Sequence, residues 1–114
     1  MNRHEQRLLV FNKYGGRCAY CGCKITLKNF QIDHIHPKYR GGENEMSNYN
    51  PSCRQCNYYK STFTTQELRS QLHEIWGRIN KSFIVRLALA YGIIKKGKFD
   101  DRFYFEKLKK KEKK

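Results

Sequence analysis

Apolar residues recur along the chain at two different periods, and a polar, turn-rich stretch separates the two regimes. Leu8, Leu9, Val10, Phe11 and Tyr14 form a stripe at helical spacing. Asn2 stands where an N-cap belongs, Glu5 completes a capping box, and Gly15-Gly16 supplies the stop. A first helix with its stripe over the core is therefore expected. Phe30, Ile32 and Ile35 fit alternation, which predicts a short strand over 30–35. Pro37 and Gly41-Gly42 then mark a loop. Asn44, Ser47, Asn48, Asn50 and Pro51 are turn residues that leave room for at most a short return strand.

Arg54 to Lys60 is expected to be helical, and beyond it the pattern changes. Thr64 and Glu67 form a second capping box, and Leu68, Leu72, Ile75, Trp76 and Ile79 recur at helical spacing. One helix from about Thr65 to Ile79 is predicted, its stripe serving as core or as a protein interface. Phe83 to Tyr91 is mostly apolar and stops at Gly92, which predicts another helix. Phe103-Tyr104-Phe105 has strand propensity. Residues 107–114 hold six Lys, one Leu and one Glu, and a disordered basic tail is expected there.

Composition narrows the class. With 114 residues the chain is one domain, or a small core with appendages. Only 39% of its residues are hydrophobic, so a metal staple would help hold the fold. Lys and Arg number 24 against 10 Asp and Glu, for a net charge of +14. So large an excess suits a polyanionic partner, and nucleic acid is the usual one. A membrane partner is not expected, because there is no long apolar run and no basic helix with a clean apolar face. Asn2 to Arg7 is polar or charged and Leu8 to Phe11 is short, so no signal peptide is read and a reducing, cytoplasmic setting is expected.

The cysteines carry the clearest chemistry. Cys18-Ala19-Tyr20-Cys21 and Cys53-Arg54-Gln55-Cys56 are two C-x2-C pairs about thirty residues apart, a spacing that signals a four-thiolate Zn2+ site. Cys23, the fifth, is expected to be a free thiol beside the first knuckle. Between the pairs lies Asp33-His34-Ile35-His36-Pro37. Neighbours on a regular strand point to opposite faces. Asp33 and His34 therefore share a face only if the strand is irregular there, or one acts across a metal.

Cys18-x2-Cys21, Asp33-His34-Ile35-His36-Pro37, Gly41-Gly42, Asn48, Pro51, Cys53-x2-Cys56-Asn57 and Lys60 occur in one order over about forty-five residues. This run resembles the HNH endonuclease family, in the variant whose third motif position is Asn. The resemblance implies a ββα-metal unit, and with the helices and zinc site read above the expected fold is α+β: a small ββα-metal core stapled by the four-cysteine zinc site, with an N-terminal helix and a mainly helical C-terminal extension. It implies His34 as the general base that deprotonates the attacking water. It implies Asn48 as the middle Asn, whose side chain bonds backbone to hold the loop and the base; Asn50 is its rival and stands less well spaced from Cys53. It implies Asp33 and Asn57 as ligands of one catalytic cation. A carboxylate and an amide oxygen are hard donors that suit Mg2+ or Mn2+ and hold Zn2+ poorly against solvent. An imidazole is a competent base near neutral pH.

The expected organisation is thus a nuclease core over 1–62 with the N-terminal helix, a helical extension over 63–106 and the basic tail over 107–114. His36, Lys38, Arg40, Arg54 and Lys60 surround the motif as candidate nucleic-acid contacts, and charge alone does not sort them. Tyr58 and Tyr59 either stack on bases or pack. The expected partner is DNA, with no membrane and no small-molecule cofactor. One active site cuts one strand, so cutting both requires a homodimer or sequential nicks, and the sequence decides neither. A second class stays open: a non-catalytic, zinc-stabilised module that binds nucleic acid with the same thiolates and charge. The two part at Asp33, His34 and Asn57, which a pure binding module does not need together.

Overall fold

The structure, a computed structural model, describes residues 1–112, with side chains through residue 109. Residues 113 and 114 of the expected basic tail lie outside the described residues. The chain forms two compact units, Met1–Thr65 with Arg102–Lys114, and Gln66–Asp101.

The first unit begins with helix α1 (Arg3–Asn12). Asn2 caps it as its sequence position predicts, the side-chain oxygen accepting from the Glu5 backbone N–H at 2.8 Å. Gly15 and Gly16, both at positive φ, turn the chain away from it. Strands β1 (Gln31–His34) and β2 (Tyr49–Ser52) pair antiparallel, with Asp33 opposite Asn50 and His34 opposite Tyr49. Two short 3-10 turns, Lys38–Arg40 and Met46–Asn48, carry the loop between them. Helix α2 (Arg54–Lys60) follows directly and completes the expected ββα unit.

The core of this unit is small. Val10 from α1, Phe30 and Tyr49 are buried together, with Phe11, Ile25, Leu27, Ile32 and Met46 packed around them. Phe11 meets Phe30 edge to face at 5.4 Å between centroids. The Arg7 guanidinium lies 4.2 Å from the centre of the Phe30 ring and donates to the Leu27 carbonyl at 2.8 Å. Lys13 reaches from the C-terminal end of α1 to the Tyr49 carbonyl at 2.7 Å, tying helix to sheet.

The chain's last part differs from expectation in two ways. Phe103-Tyr104-Phe105, read as strand-prone, instead opens helix α6 (Tyr104–Glu112). Phe103 serves as its cap residue, because Glu106 reaches back to the Phe103 N–H at 2.8 Å, which is half of a capping box. The expected disordered tail over 107–114 is therefore helical through Glu112. Nor does this segment trail away: the N–H groups of Tyr104 and Phe105 donate to the carbonyls of Tyr20 and Ala19 at 3.0 and 2.9 Å. Tertiary hydrogen bonds outweigh local propensity here.

The second unit holds α3 (Thr65–His73), α4 (Ile75–Ile79) and α5 (Phe83–Ala90). The single helix expected from Thr65 to Ile79 is broken at Glu74, whose N–H bonds the Gln71 carbonyl in a tighter, 3-10-type turn. Gly77 weakens the second piece further, since glycine is a poor helix former. His73 pairs with Asp101 at 2.9 Å and stacks edge-on against Phe99. Leu68 is buried, while Ile79, Phe83, Ile84 and Tyr91 are exposed. Among the described residues no helix is long and apolar enough to cross a membrane.

Phe30→Ala should cost about 3–5 kcal/mol, the usual range for deleting a buried aromatic ring. Leu9→Ala, on the exposed face of α1, should change stability by less than about 0.5 kcal/mol. Urea unfolding of the two variants beside the wild type measures both.

Candidate active site and metal centre

The first cysteine knuckle is a tight reversal between α1 and β1. Arg17 and Lys24 bridge across it, Cys18 donates its N–H to the Cys23 carbonyl at 2.8 Å, and Gly22 donates to the Cys18 carbonyl at 3.0 Å. Gly22 sits at φ +80, and a side chain there would press on the Tyr104 ring, so glycine is favoured on both counts. The second knuckle is the start of α2: Cys53 is its cap residue, and its sulfur accepts from the Cys56 N–H at 3.4 Å. Ala19 donates to the Pro51 carbonyl at 2.8 Å, which draws the two knuckles together.

The result is one cluster in which the sulfurs of Cys18, Cys21, Cys53 and Cys56 lie within 4.8 Å of one another. Cys23 is exposed and not one of the four, although its thiol contacts those of Cys21 and Cys53. Four thiols this close cannot all ionise unaided. A hydrogen bond from Cys56 lowers the Cys18 thiol well below its ordinary range, and the same contact pushes Cys56 up. Burial pushes Cys21 up as well. A divalent ion removes the conflict by binding all four as thiolates, and a compact four-sulfur set suits the soft, tetrahedral preference of zinc.

A separate cavity of about 230 Å³ has Asp33, His34, Lys38, Tyr39 and Asn57 among its lining residues. Strand β1 supplies the first two and α2 the Asn. Alternation along β1 holds, with Asp33 buried and His34 half-exposed, yet both reach the same space. His34 Nε2 is 2.9 Å from Asn44 Oδ1, and its ring stands edge-on to Tyr49 at 5.1 Å. With the amide oxygen as acceptor, Nε2 carries the proton and Nδ1 is the free base nitrogen.

Asn48 makes three side-chain bonds to backbone. It accepts from the His36 N–H at 2.9 Å and donates to the carbonyls of His36 at 3.0 Å and Glu43 at 2.9 Å. The loop that follows His34 is thereby closed onto the start of β2. Asn50, the rival, is fully buried and faces Lys13 and Tyr20. The amide side chain of Asn57 makes no hydrogen bond among the described residues, and its oxygen is available to a ligand.

Asp33 is held on both oxygens. Oδ2 accepts from the Tyr20 hydroxyl, and Oδ1 lies 3.2 Å from Lys60 Nζ. Burial raises its pKa above the usual carboxylate range, against the opposing pull of Tyr20 and then Lys60. Burial, and next the charge of Asp33, push the Tyr20 phenol far up, so that hydroxyl remains a donor. Lys60 corrects an expectation: it is 0% exposed and bonds the His34 carbonyl at 2.9 Å, so it is no contact for a phosphate in solution. An ammonium this deep needs a partner, and Asp33 is it.

Of the other candidate contacts, Lys38 is exposed at the rim of the cavity, and Arg40 and His36 are exposed, His36 Nε2 lying 3.0 Å from the Arg40 carbonyl. Arg54 lines a second cavity of about 340 Å³ with Lys28, Asn29, Gln31, Asn57 and Tyr58. Asn57 belongs to both cavities. Tyr58 is 87% exposed and Tyr59 half-buried, so one of the pair packs and the other does not. Sequence reasoning missed Tyr20, Asn44 and Lys28. Tyr20 was hinted at by its place inside C-x2-C; Asn44 and Lys28 carried no signal.

The family model for HNH endonuclease matches residues 18–73. The four-sulfur cluster and the His34 cavity both fall within the residues matched to that family. A CRISPR-associated endonuclease Cas9 of Corynebacterium diphtheriae is 42% identical over 45 residues, covering 39% of this chain and 4% of that protein. The crystal structure of the Type II-C Cas9 enzyme from Actinomyces naeslundii is similar with a TM-score of 0.56 at 30% identity, covering 60% of this chain and 8% of that one. The chain therefore spans a small fraction of the length of each of these two proteins.

Cys53→Ser should lower bound metal per chain and the melting temperature together, because Cys53 both belongs to the sulfur cluster and caps α2. Cys23→Ser should change neither. Metal analysis by plasma emission and a thermal melt on the two variants test this.

Proposed function

We propose that this chain hydrolyses phosphodiester bonds of DNA, with His34 as general base and one hard divalent cation, Mg2+ or Mn2+, held by Asp33 and Asn57. The observation that carries this reading is the single cavity lined by a buried carboxylate, a half-exposed imidazole and an unengaged amide. Zn2+ on Cys18, Cys21, Cys53 and Cys56 holds the fold. The soft and hard donor sets share no residue, so each ion has its own address.

His34 takes the proton of a water molecule on Nδ1 while Asn44 holds the opposite ring nitrogen. The water oxygen attacks phosphorus as the P–O3′ bond breaks, and the departing O3′ takes up a proton from solvent, leaving a 5′-phosphate and a 3′-hydroxyl. Asn48 keeps the loop after His34 closed, and with it the ring's attachment to the strand. Asp33 and Asn57 orient a bound cation, which when present offsets charge at the phosphorus and the departing oxygen. The second cavity gives the strand a track beside Asn57: Lys28 and Arg54 suit phosphates, and the exposed Tyr58 ring suits a base.

A plasmid assay tests the reading, using zinc-loaded protein freed of other metals. Nicked or linear product should appear with about millimolar Mg2+ or Mn2+ and not with micromolar Zn2+, since an Asn ligand binds more weakly than an imidazole. His34→Ala should abolish it. Wild type that retards DNA on a gel and cuts nothing with either ion would instead indicate a binding module.

Lys28→Ala with Arg54→Ala should weaken DNA binding and flatten its dependence on log salt by roughly 0.9 for each phosphate no longer neutralised. Fluorescence anisotropy between low and moderate salt reads that slope.

A further inference from the structure

We propose that Tyr20 is a positioning residue for Asp33, through which the first cysteine knuckle fixes the carboxylate of the catalytic cavity. The inference rests on the nuclease reading and extends it to a residue remote from the cavity's lining. Tyr20 lies between Cys18 and Cys21, so the sulfur cluster pins its backbone on both sides. Its N–H points at Cys18 Sγ at 3.4 Å, and its carbonyl accepts from Tyr104 at 3.0 Å. The ring is caged edge-on by Phe103 at 5.2 Å and Phe105 at 6.0 Å.

A phenylalanine would fill that aromatic cage equally well. The hydroxyl is what packing alone does not require, and a buried hydroxyl is costly unless bonded. It donates to Asp33 Oδ2 and accepts from Asn50 Nδ2 at 3.5 Å. Lys60 takes the other oxygen, Oδ1, and at the same time bonds the His34 carbonyl. With one donor on each oxygen the carboxylate cannot rotate, and each oxygen keeps a lone pair. Asp33 therefore presents one defined edge to the cavity it shares with His34 and Asn57. The first knuckle, Tyr20 and Asp33 form one continuous link from the sulfur cluster to that cavity, so disturbance of the sulfurs should reach the carboxylate.

The test uses full-length, zinc-loaded Tyr20→Phe, with zinc content, melting temperature, Mn2+ binding by electron paramagnetic resonance without DNA, and cleavage against Mn2+ concentration. Zinc content should be unchanged. Mn2+ affinity should fall on the order of tenfold, the effect of one hydrogen bond to a charged group. Cleavage at saturating Mn2+ should recover most of the wild-type rate. A purely structural residue would not shift Mn2+ affinity while zinc stays bound. Unchanged Mn2+ affinity in Tyr20→Phe, beside a wild type that binds Mn2+ and cuts, overturns the assignment and leaves the nuclease reading standing. Wild type that neither binds Mn2+ nor cuts sinks the reading, and the assignment with it. Should Tyr20→Phe lose zinc, Phe103→Leu loosens the ring without touching the hydroxyl or the cysteines. That variant should keep zinc and bind Mn2+ several-fold more weakly, and unchanged affinity there overturns the assignment too.

Discussion

Four sulfur atoms within 4.8 Å of one another set the terms for the first unit. Its apolar core rests on Val10, Phe30 and Tyr49, and its sheet is two strands of four residues. A lone two-stranded ribbon of that length is marginal in water. The cluster joins Cys21 to Cys53, 32 residues apart in sequence, and so closes a loop that contains the whole sheet. Register then follows, because Ala19 in one knuckle bonds Pro51 just before the other. Only in that register does Asp33 lie opposite Asn50 and His34 opposite Tyr49.

The buried Asp33–Lys60 pair depends on the same frame. A buried ion pair seldom adds net stability, because desolvation of both charges offsets their attraction. The pair makes better sense as placement. Lys60, on the last turn of α2, grips both the Asp33 carboxylate and the His34 carbonyl, so the helix that carries Asn57 is fixed to the strand that carries the other two residues. An exposed pair would be cheaper and looser, and it would let three cavity residues drift apart.

Local rules made much of this legible. Asn2 and Glu5 marked the start of α1, the C-x2-C spacing marked the cluster, and the stretch Arg54–Lys60 proved helical end to end. What stayed hidden depended on partners distant in sequence. Lys60 beside a basic motif looked like a phosphate contact, and only the fold brings Asp33 to it across 27 residues. Phe103 to Phe105 looked like a strand because nothing nearby revealed that Tyr20 and Ala19 would accept hydrogen bonds from this segment. Asn44 reads as a turn residue, and its bond to His34 exists because Asn48 closes the loop between them. Composition misled at the tail for a related reason: lysine-rich residues over 107–112 continue a helix whose start is held elsewhere.

Alternation along β1 sets Asp33 and His34 on opposite faces, and the structure gives that alternation a use. In the roles proposed for them the two residues need opposite surroundings. A carboxylate that orients a cation gains from burial, where Tyr20 and Lys60 can stop its rotation and water cannot compete for its oxygens. A general base must trade protons with solvent, so it has to be partly open, as His34 is. Adjacent residues on a regular strand obtain these two environments without any distortion of the backbone. The cavity then joins them with Asn57 of α2, all three residues being part of its lining.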